Sequence, residues 1–548
     1  MTPEIDAGGP PASLSAFEMC AKKFDARRAV PHRCDDGRML VTIPSFALQG
    51  IDAVRCDVEV SLQSRGLPRI TLVGLPDLAV RESIERVKSA MGSSGFEPPR
   101  HRTTISLAPA DLRKQGPAYD LPIAVAMLLA APESGEGAPP GPKAPRPCDW
   151  MVAGELALDG ALRPVRGAVG MALLARAVGL AGIVVPEANS AEAAVVEGVD
   201  VRGAGSLPEV IAFFRGLGRL PRAEPVDVRA AIASQPLAVD FREVRGQGAA
   251  KRALCIAAAG GHNALLIGPA GCGKTLMARA LPGILPPLEP DEALEVTRIW
   301  SAAGAGQSRL VTERPFRAPH HTASTVALVG GGAMGLPRPG EVTLAHHGVL
   351  FLDELPEFGR SALEALREPL EDGFITVARA HGSARFPARS ILLAAMNPTA
   401  RGNRCAGARG AREQEKYMER VSGPIVDRID LHVEVSAVPF DRLSSAPTGE
   451  SSGQLRERVV AARARQRARQ GPVLNAYLRG AELDAAAPMG EESRALLGDA
   501  MTRLGLSARA YDKLRRIART IADLDGACTV TAVHVAEAIQ YRILDRHR

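Results

Sequence analysis

Gly268-Pro-Ala-Gly-Cys-Gly-Lys-Thr275 follows the apolar run Asn263-Ala-Leu-Leu-Ile267 and precedes Leu276-Met-Ala-Arg-Ala-Leu281. A buried strand, a glycine-rich turn and a helix in that order form a loop that cradles phosphate. Gly268, Gly271 and Gly273 let backbone N–H groups curl around an oxyanion, with Pro269, Ala270 and Cys272 between them. The helix start adds unpaired donors and the positive end of its dipole. Lys274 then supplies a point charge for the β and γ phosphates of a nucleotide, and Thr275 a hydroxyl for Mg²⁺.

Binding phosphate does not by itself break a phosphoanhydride; a carboxylate for the metal and a base for the water are also needed. Gly348-Val-Leu-Phe-Leu-Asp-Glu354 is an apolar strand that ends in two acids. It is expected to lie directly beside the phosphate-loop strand, which would deliver Asp353 to Mg²⁺ and Glu354 to the attacking water. A further apolar strand, Ser390-Ile-Leu-Leu-Ala-Ala395, runs into Met396-Asn397-Pro398.

With 548 residues the chain is too long for one core. Hydrophobic residues make up 46% and charged ones 23%, ordinary for a water-soluble protein. A net charge of +6 permits a polyanionic partner without demanding one, so arginine clustering matters more than the sum. Cys20, Cys34, Cys56, Cys148, Cys255, Cys272, Cys405 and Cys528 form no CxxC pair, which points to neither a disulfide framework nor a zinc knuckle. No apolar run approaches the roughly 20 residues that span a bilayer. The start carries Asp and Glu and lacks a basic-then-apolar leader, so the expected location is cytoplasmic, with no membrane contact.

Residues 1–38 lack periodicity and read as a disordered extension, or as the product of a start codon set too far upstream. Residues 39–217 read as an α/β domain. Strands are expected at Val54 to Leu62, Arg69 to Val73, His101 to Leu107, Met151 to Leu158 and Ile183 to Val185. Helices are expected at Val80 to Met91, Leu121 to Leu129 and Gly167 to Val178, with Ala131 to Arg146 as a loop. This domain resembles the proteolytic domain of the Lon family, whose fold is ribosomal-protein-like. That pattern places a serine after Gly-Pro and a lysine on the following helix. Here Gly116-Pro117 is followed by Ala118, and the lysine position falls at Val169, so the acylating dyad is missing and peptide cleavage is not expected. Ser106 and Lys114 read as surface groups. Residues 218–239 carry Pro221, Pro225 and Pro236 and read as a linker, 240–440 as the nucleotide-binding core and 441–548 as a helical lid.

Pro315-Phe-Arg-Ala-Pro-His-His-Thr-Ala-Ser324, Gly330-Gly-Gly332, Pro339 to Phe358 and Ala518-Arg-Thr-Ile-Ala-Asp523 closely resemble the Mg-chelatase-like AAA+ proteins of the ComM/YifB family. The resemblance runs from about Leu40 to Arg542. It implies an α/β multidomain chain: a Lon-protease-like N-terminal domain, an AAA+ phosphate-loop core and a C-terminal helical lid. It also implies ATP and Mg²⁺ as ligands, a hexameric ring, and helicase or branch-migration activity on DNA in natural transformation or recombination. Within that pattern Val244 and Gln247 would bracket the adenine. Asn397 would be the polar sensor between water and γ phosphate, an amide that donates and accepts at once. Arg428, in Ser422-Gly-Pro-Ile-Val-Asp-Arg-Ile-Asp-Leu431, would be the finger offered to a neighbouring subunit; an intrachain ion pair with Asp427 or Asp430 is the competing reading. Arg509, in the first turn of a helix running to about Leu524, would reach back over the γ phosphate as a second sensor, and a further helix starts near Thr531. Some relatives carry a cysteine cluster after the sensor asparagine. Pro398 to Cys405 keeps one cysteine, so no structural zinc is expected, and His320, His321, His346 and His347 have no acidic or thiol partner at ligand spacing.

Two segments are candidates for lining a ring channel: Arg317 to Pro339, and a hairpin over Phe374 to Phe386 with Arg379, His381 and Arg385 near its tip. Gln454 to Gln470 carries Arg456, Arg458, Arg463, Arg465, Arg467 and Arg469 on more than one face, which fits a DNA contact or a plain solvated helix. Aromatic residues are only 4%, which favours tracking of the backbone over base stacking. The alternatives are an Mg-chelatase-type motor subunit that remodels a protein partner, a protease, disfavoured by Ala118 and Val169, and a non-hydrolytic scaffold, disfavoured by the set from Lys274 to Arg509.

Overall fold

A computed structural model describes residues 32–33, 39–63, 67–131, 144–233, 239–305, 309–332, 337–379, 382–399, 423–438 and 449–542. The expectations for 1–38 (apart from 32–33), for Cys405 and for His381 lie outside them. The chain forms two compact units, the first Met1–Ala231 with Ala293–Val311, the second Ile232–Glu292 with Thr312–Arg548.

In the first unit, Met39–Gln49 turns tightly at Gly50 into Asp52–Gln63, and the two pair antiparallel from Met39 opposite Leu62 to Gln49 opposite Asp52. Cys56, Val58, Val60 and Leu62 point into the core at the two-residue period of a strand. Arg102–Ala108 pairs with Asp52–Gln63, and Ile70–Val73 closes the sheet in parallel with Arg102–Ala108. The helices Leu78–Ser93 and Asp120–Ala130 follow the expected pattern. The second of these is apolar on nearly every side and buries all but Leu129. A second sheet is parallel: Gly182–Pro186 lies between Trp150–Val152 and Asp200–Ala204.

Ala118 sits in the turn Pro117–Tyr119, where its carbonyl accepts from the Gly154 N–H, and Val169 is fully buried in the helix Ala168–Ala177. Lys114 is not the surface group that its type suggested. Its backbone is tied to Leu75 and Asp77, which draws the side chain inward until the ammonium donates to the Pro109 carbonyl. The stretch expected as a linker also differs. Leu220 is buried, Ala223 N–H donates to Val201, and a short helix forms at Val228–Ala233. An apolar side chain and a free strand edge beside it suffice to hold the first half in place. Ala293–Val311 belongs to this unit too, although sequence reading had one continuous core over 240–440. Arg298 pairs with Asp52 at 3.0 Å, and the Gly167 N–H donates to the Ser301 carbonyl.

The second unit is built on five parallel strands: β1 (Ala264–Ile267), β2 (Phe316–Arg317), β3 (Val349–Leu352), β4 (Ile391–Met396) and β5 (Leu431–Glu434), in the order β2-β3-β4-β1-β5. Burial on both faces explains why β1, β3 and β4 are unbroken apolar runs. In register, Ala264 faces Leu393 and Leu431, and Val349 faces Ile391. The carboxyl ends of β1, β3 and β4 therefore lie together. A hairpin, Phe374–Arg379 with Gly382–Pro387, stands apart from the sheet.

The lid contributes helices α1 (Ser452–Gln470), α2 (Ala508–Leu524) and α3 (Ala532–Gln540), started by Ser451, Ser507 and Thr531. Leu514, Ile517, Ala518 and Ile521 place one face of α2 in the same hydrophobic core as the sheet. The arginines of α1 fit the solvated reading in part: Arg458, Arg465, Arg467 and Arg469 are exposed, while Arg456 and Arg463 are half-buried. Arg456 donates to Gly283, Arg463 to Ala258 and Arg465 to Asp523 through backbone carbonyls, while Arg458, Arg467 and Arg469 pair with Glu450, Glu289 and Asp523. The helix is a staple between lid and core.

Candidate active site

β1 ends at Ile267, and the chain turns back through 268–273 into the short helix Lys274–Ala280. Gly271 (φ 77°) and Gly273 (φ 93°) take left-handed conformations that L side chains resist. Gly268 has no room for a side chain, since a Cβ there would come within 2.2 Å of the Val435 carbonyl. The loop is thereby held against the end of β5.

Lys274 is buried at 8% exposure and donates to the carbonyls of Gly268 (2.7 Å) and Pro269 (2.9 Å) and to Asn397 Oδ1 (3.1 Å). Thr275 Oγ1 donates to Asp353 Oδ2 at 3.0 Å. Glu354 follows in the left-handed region (φ 53°), which swings its carboxylate to 3.3 Å from His321 Nδ1. Gln247 donates to the Cys272 and Ser436 carbonyls, so it abuts the loop, while Val244 is buried in the core. The loop, Asp353, Glu354 and Asn397 thus converge at one end of the sheet. A hydroxyl and a carboxylate at hydrogen-bonding distance beside a lysine and curled N–H groups are a donor set that fits Mg²⁺ and a triphosphate.

Arg428 and Arg509 are elsewhere. Both line a cavity of about 300 Å³ with Asn263, Ser390 and Asp430, the residues that precede β1, β4 and β5, and no residue of 268–275 borders it. This cavity is at the amino ends of the strands, and four residues at about 3.3 Å each separate it from the loop. Arg509 consequently does not lie over its own phosphate loop. Arg428 is ion-paired to Glu371, a partner not among those expected. Asp430 instead joins Lys513 (3.1 Å) and His262 (3.3 Å). Burial alone would raise the Asp430 carboxyl, but Lys513 and His262 overcome it and hold it well below the ordinary range.

The histidine pairs stack within themselves, with ring centroids 4.1 Å apart for His320 and His321 and 4.0 Å for His346 and His347. Arg385 lies over the Phe374 ring at 3.5 Å, part-way along the hairpin. The side chains of Arg379 and His381 lie outside the described residues. Glu371 and Arg516 are site neighbours that the sequence did not single out, and His321, weighed there only as a metal ligand, lies beside Glu354. For Arg516 a signal existed, because Arg509, Lys513 and Arg516 recur on one helix face.

A phosphate loop and an acid-tipped strand on one edge of a five-stranded parallel sheet, capped by a helical lid, define a nucleotide-binding protein of the AAA+ class. Three family patterns match: magnesium chelatase, subunit ChlI, over residues 240–443; subunit ChlI of Mg-chelatase over 58–189; and magnesium chelatase, subunit ChlI C-terminal, over 449–542. The chain is 44% identical over 515 residues to the uncharacterized protein YifB of Escherichia coli, and 41% identical over 515 residues to the competence protein ComM of Haemophilus influenzae. Each match covers 92% of this chain and 98% of the relative. The chain belongs to the Mg-chelatase-like AAA+ family of YifB and ComM. No helix among the described residues is long and apolar enough to cross a membrane.

Proposed function

We propose that this chain is an ATP-driven motor on DNA, a helicase or branch-migration enzyme acting as a hexameric ring in DNA uptake or recombination. Lys274 and the N–H groups of 268–275 hold the triphosphate, and Thr275 with Asp353 holds Mg²⁺. The metal, when bound, neutralises charge on the phosphate oxygens. Glu354 accepts a proton from the attacking water, and Asn397 orients that water. Arg428 and Arg509 act on the nucleotide of the adjoining copy, where a planar, permanently charged guanidinium stabilises the charge that develops on the transferred phosphoryl group.

One observation carries the reading: the Lys274–Thr275–Asp353 group and the Arg428–Arg509 group occupy opposite ends of the same parallel sheet. One copy does not complete the site alone, whereas a ring closes it repeatedly. The DNA part rests on the name of the competence relative and on the basic hairpin. Hydrolysis and strand movement by the purified protein on forked and four-way DNA test it, with Glu354→Gln as control. DNA should stimulate turnover, and the variant should bind nucleotide without moving strands. The chelatase subunit matched by all three family patterns favours a second reading, a motor that remodels a protein partner. Robust hydrolysis without DNA binding at low salt would select it.

A further inference from the structure

The 300 Å³ cavity at the amino ends of the strands is lined by further cations besides Arg428 and Arg509, together with the carboxylates of Glu371, Asp372, Asp427, Asp430 and Asp512. Arg509, Lys513 and Arg516 stand at i, i+4 and i+7 on α2, and all three line it with Arg428 and Arg479. Several of these cations are occupied. Lys513 pairs with Asp430 and donates to the Asp427 and Ile429 carbonyls. Arg428 pairs with Glu371, and Arg479 donates to the Glu371 carbonyl. Arg515, next to Arg516 in sequence, turns to Asp484 at 2.8 Å.

Arg516 Nε, like that of Arg515 beside it, is buried with no hydrogen-bond partner among the described residues, but Arg516 also lines the cavity. Burial, with repulsion from Arg479 and Arg515, disfavours its charge against the pull of Asp430 and Asp512. Asp430 is already engaged by Lys513 and His262. A guanidinium cannot shed its proton, so a half-buried one without its full set of partners keeps a cost that a compact anion would offset. At about 300 Å³ the cavity admits a phosphate group but not a nucleic-acid strand.

We infer that Arg516 is a third phosphate-contacting cation of this cavity, reaching with Arg428 and Arg509 the triphosphate held by an adjoining copy of the chain. This rests on the ring reading above. The own loop is excluded because it lies beyond the opposite end of the strands. Lys513 sits between the two lid arginines and, neutralised by Asp430, holds α2 against the segment that carries Arg428.

The test is subunit mixing with full-length protein. Arg516→Ala should lower kcat for ATP roughly tenfold or more, as loss of one charge-stabilising donor does, with a smaller change in KM. Mixed with Lys274→Ala, which has no working loop but an intact Arg516, it should recover turnover above the sum of the two separate proteins. Should the alanine variant not fold, Arg516→Gln keeps much of the stem, loses the charge and is read in the same assay. Unchanged turnover overturns the inference. So does a loss that Lys274→Ala does not rescue while a parallel mixture of Arg428→Ala and Lys274→Ala is rescued. If neither mixture recovers, the cross-subunit reading itself falls, and the role of Arg516 with it.

Discussion

The Thr275 hydroxyl donates to the Asp353 carboxylate across 3.0 Å, although β4 lies between β1 and β3, the strands that these residues follow and that were expected to be neighbours. Two oxygen-bearing side chains distant in sequence are thus held within hydrogen-bonding distance, as the proposed Mg²⁺ site requires. Asp353→Asn keeps the shape and removes the charge. It should weaken Mg²⁺-dependent nucleotide binding at least roughly tenfold, with metal-independent binding little changed. Calorimetric titration with and without Mg²⁺ checks this; equal losses in both would remove Asp353 from the metal site.

Glu354 is adjacent to Asp353 yet points to His321. If it serves the water and not the metal, Glu354→Gln should leave nucleotide affinity intact and slow turnover by roughly 10²-fold or more. A variant that hydrolyses ATP at the native rate would exclude Glu354 as the base.

Asp523 is fully buried and accepts from Arg469, Arg519 and Asn475. Asp523→Ala would leave two guanidiniums without their carboxylate, a loss of about 3–5 kcal/mol. Denaturant unfolding, followed by a probe in the second unit, should show the midpoint drop. A loss below about 1 kcal/mol would mean that the lid relaxes around the gap.

His432 is buried on β5, and burial, then the Arg542 and Lys513 charges, hold its pKa well below 6.5. It stays neutral in the fold but takes a proton when unfolded. Its contribution is therefore complete above pH 6.5 and is lost as pH falls below that value, at up to about 1.4 kcal/mol per pH unit. Asp430, also depressed, adds its loss only below the ordinary carboxylate value of 3.8. His432→Leu should flatten the melting-temperature slope between pH 6.5 and about 5, well above the Asp430 range. An unchanged slope would assign the acid sensitivity to other groups.

Arg385 lies over Phe374 on the hairpin and is exposed. As a backbone contact, Arg385→Ala should weaken DNA binding across sequences and reduce the slope of log affinity against log salt by about one. An unaltered slope would take this arginine off the DNA.

Much of the site was legible because its parts are local. A strand, a glycine turn and a helix start are contiguous in 263–281, and the turn's glycines reveal its conformation without reference to the rest of the chain. The acid strand and the strand before Asn397 were readable for the same reason: burial on both faces leaves an unbroken apolar run. The arginines were not. Of the six on α1, four are exposed as a solvated helix requires, but the intrachain partner that each finds was not readable, because what a long flexible side chain touches depends on which element folds beside it.

Sequence alone determined the phosphate loop, the acid pair, the helix start near Thr531, and the absence of a serine–lysine dyad at Ala118 and Val169. These depend on hydrogen bonds and side-chain types within a few residues. Tertiary structure decided that Asp353 meets Thr275, that Arg428 and Arg509 face away from their own loop, and that 293–311 joins the first unit. Strand order fixes the first two, and strand order is a choice among long-range pairings that local periodicity does not encode.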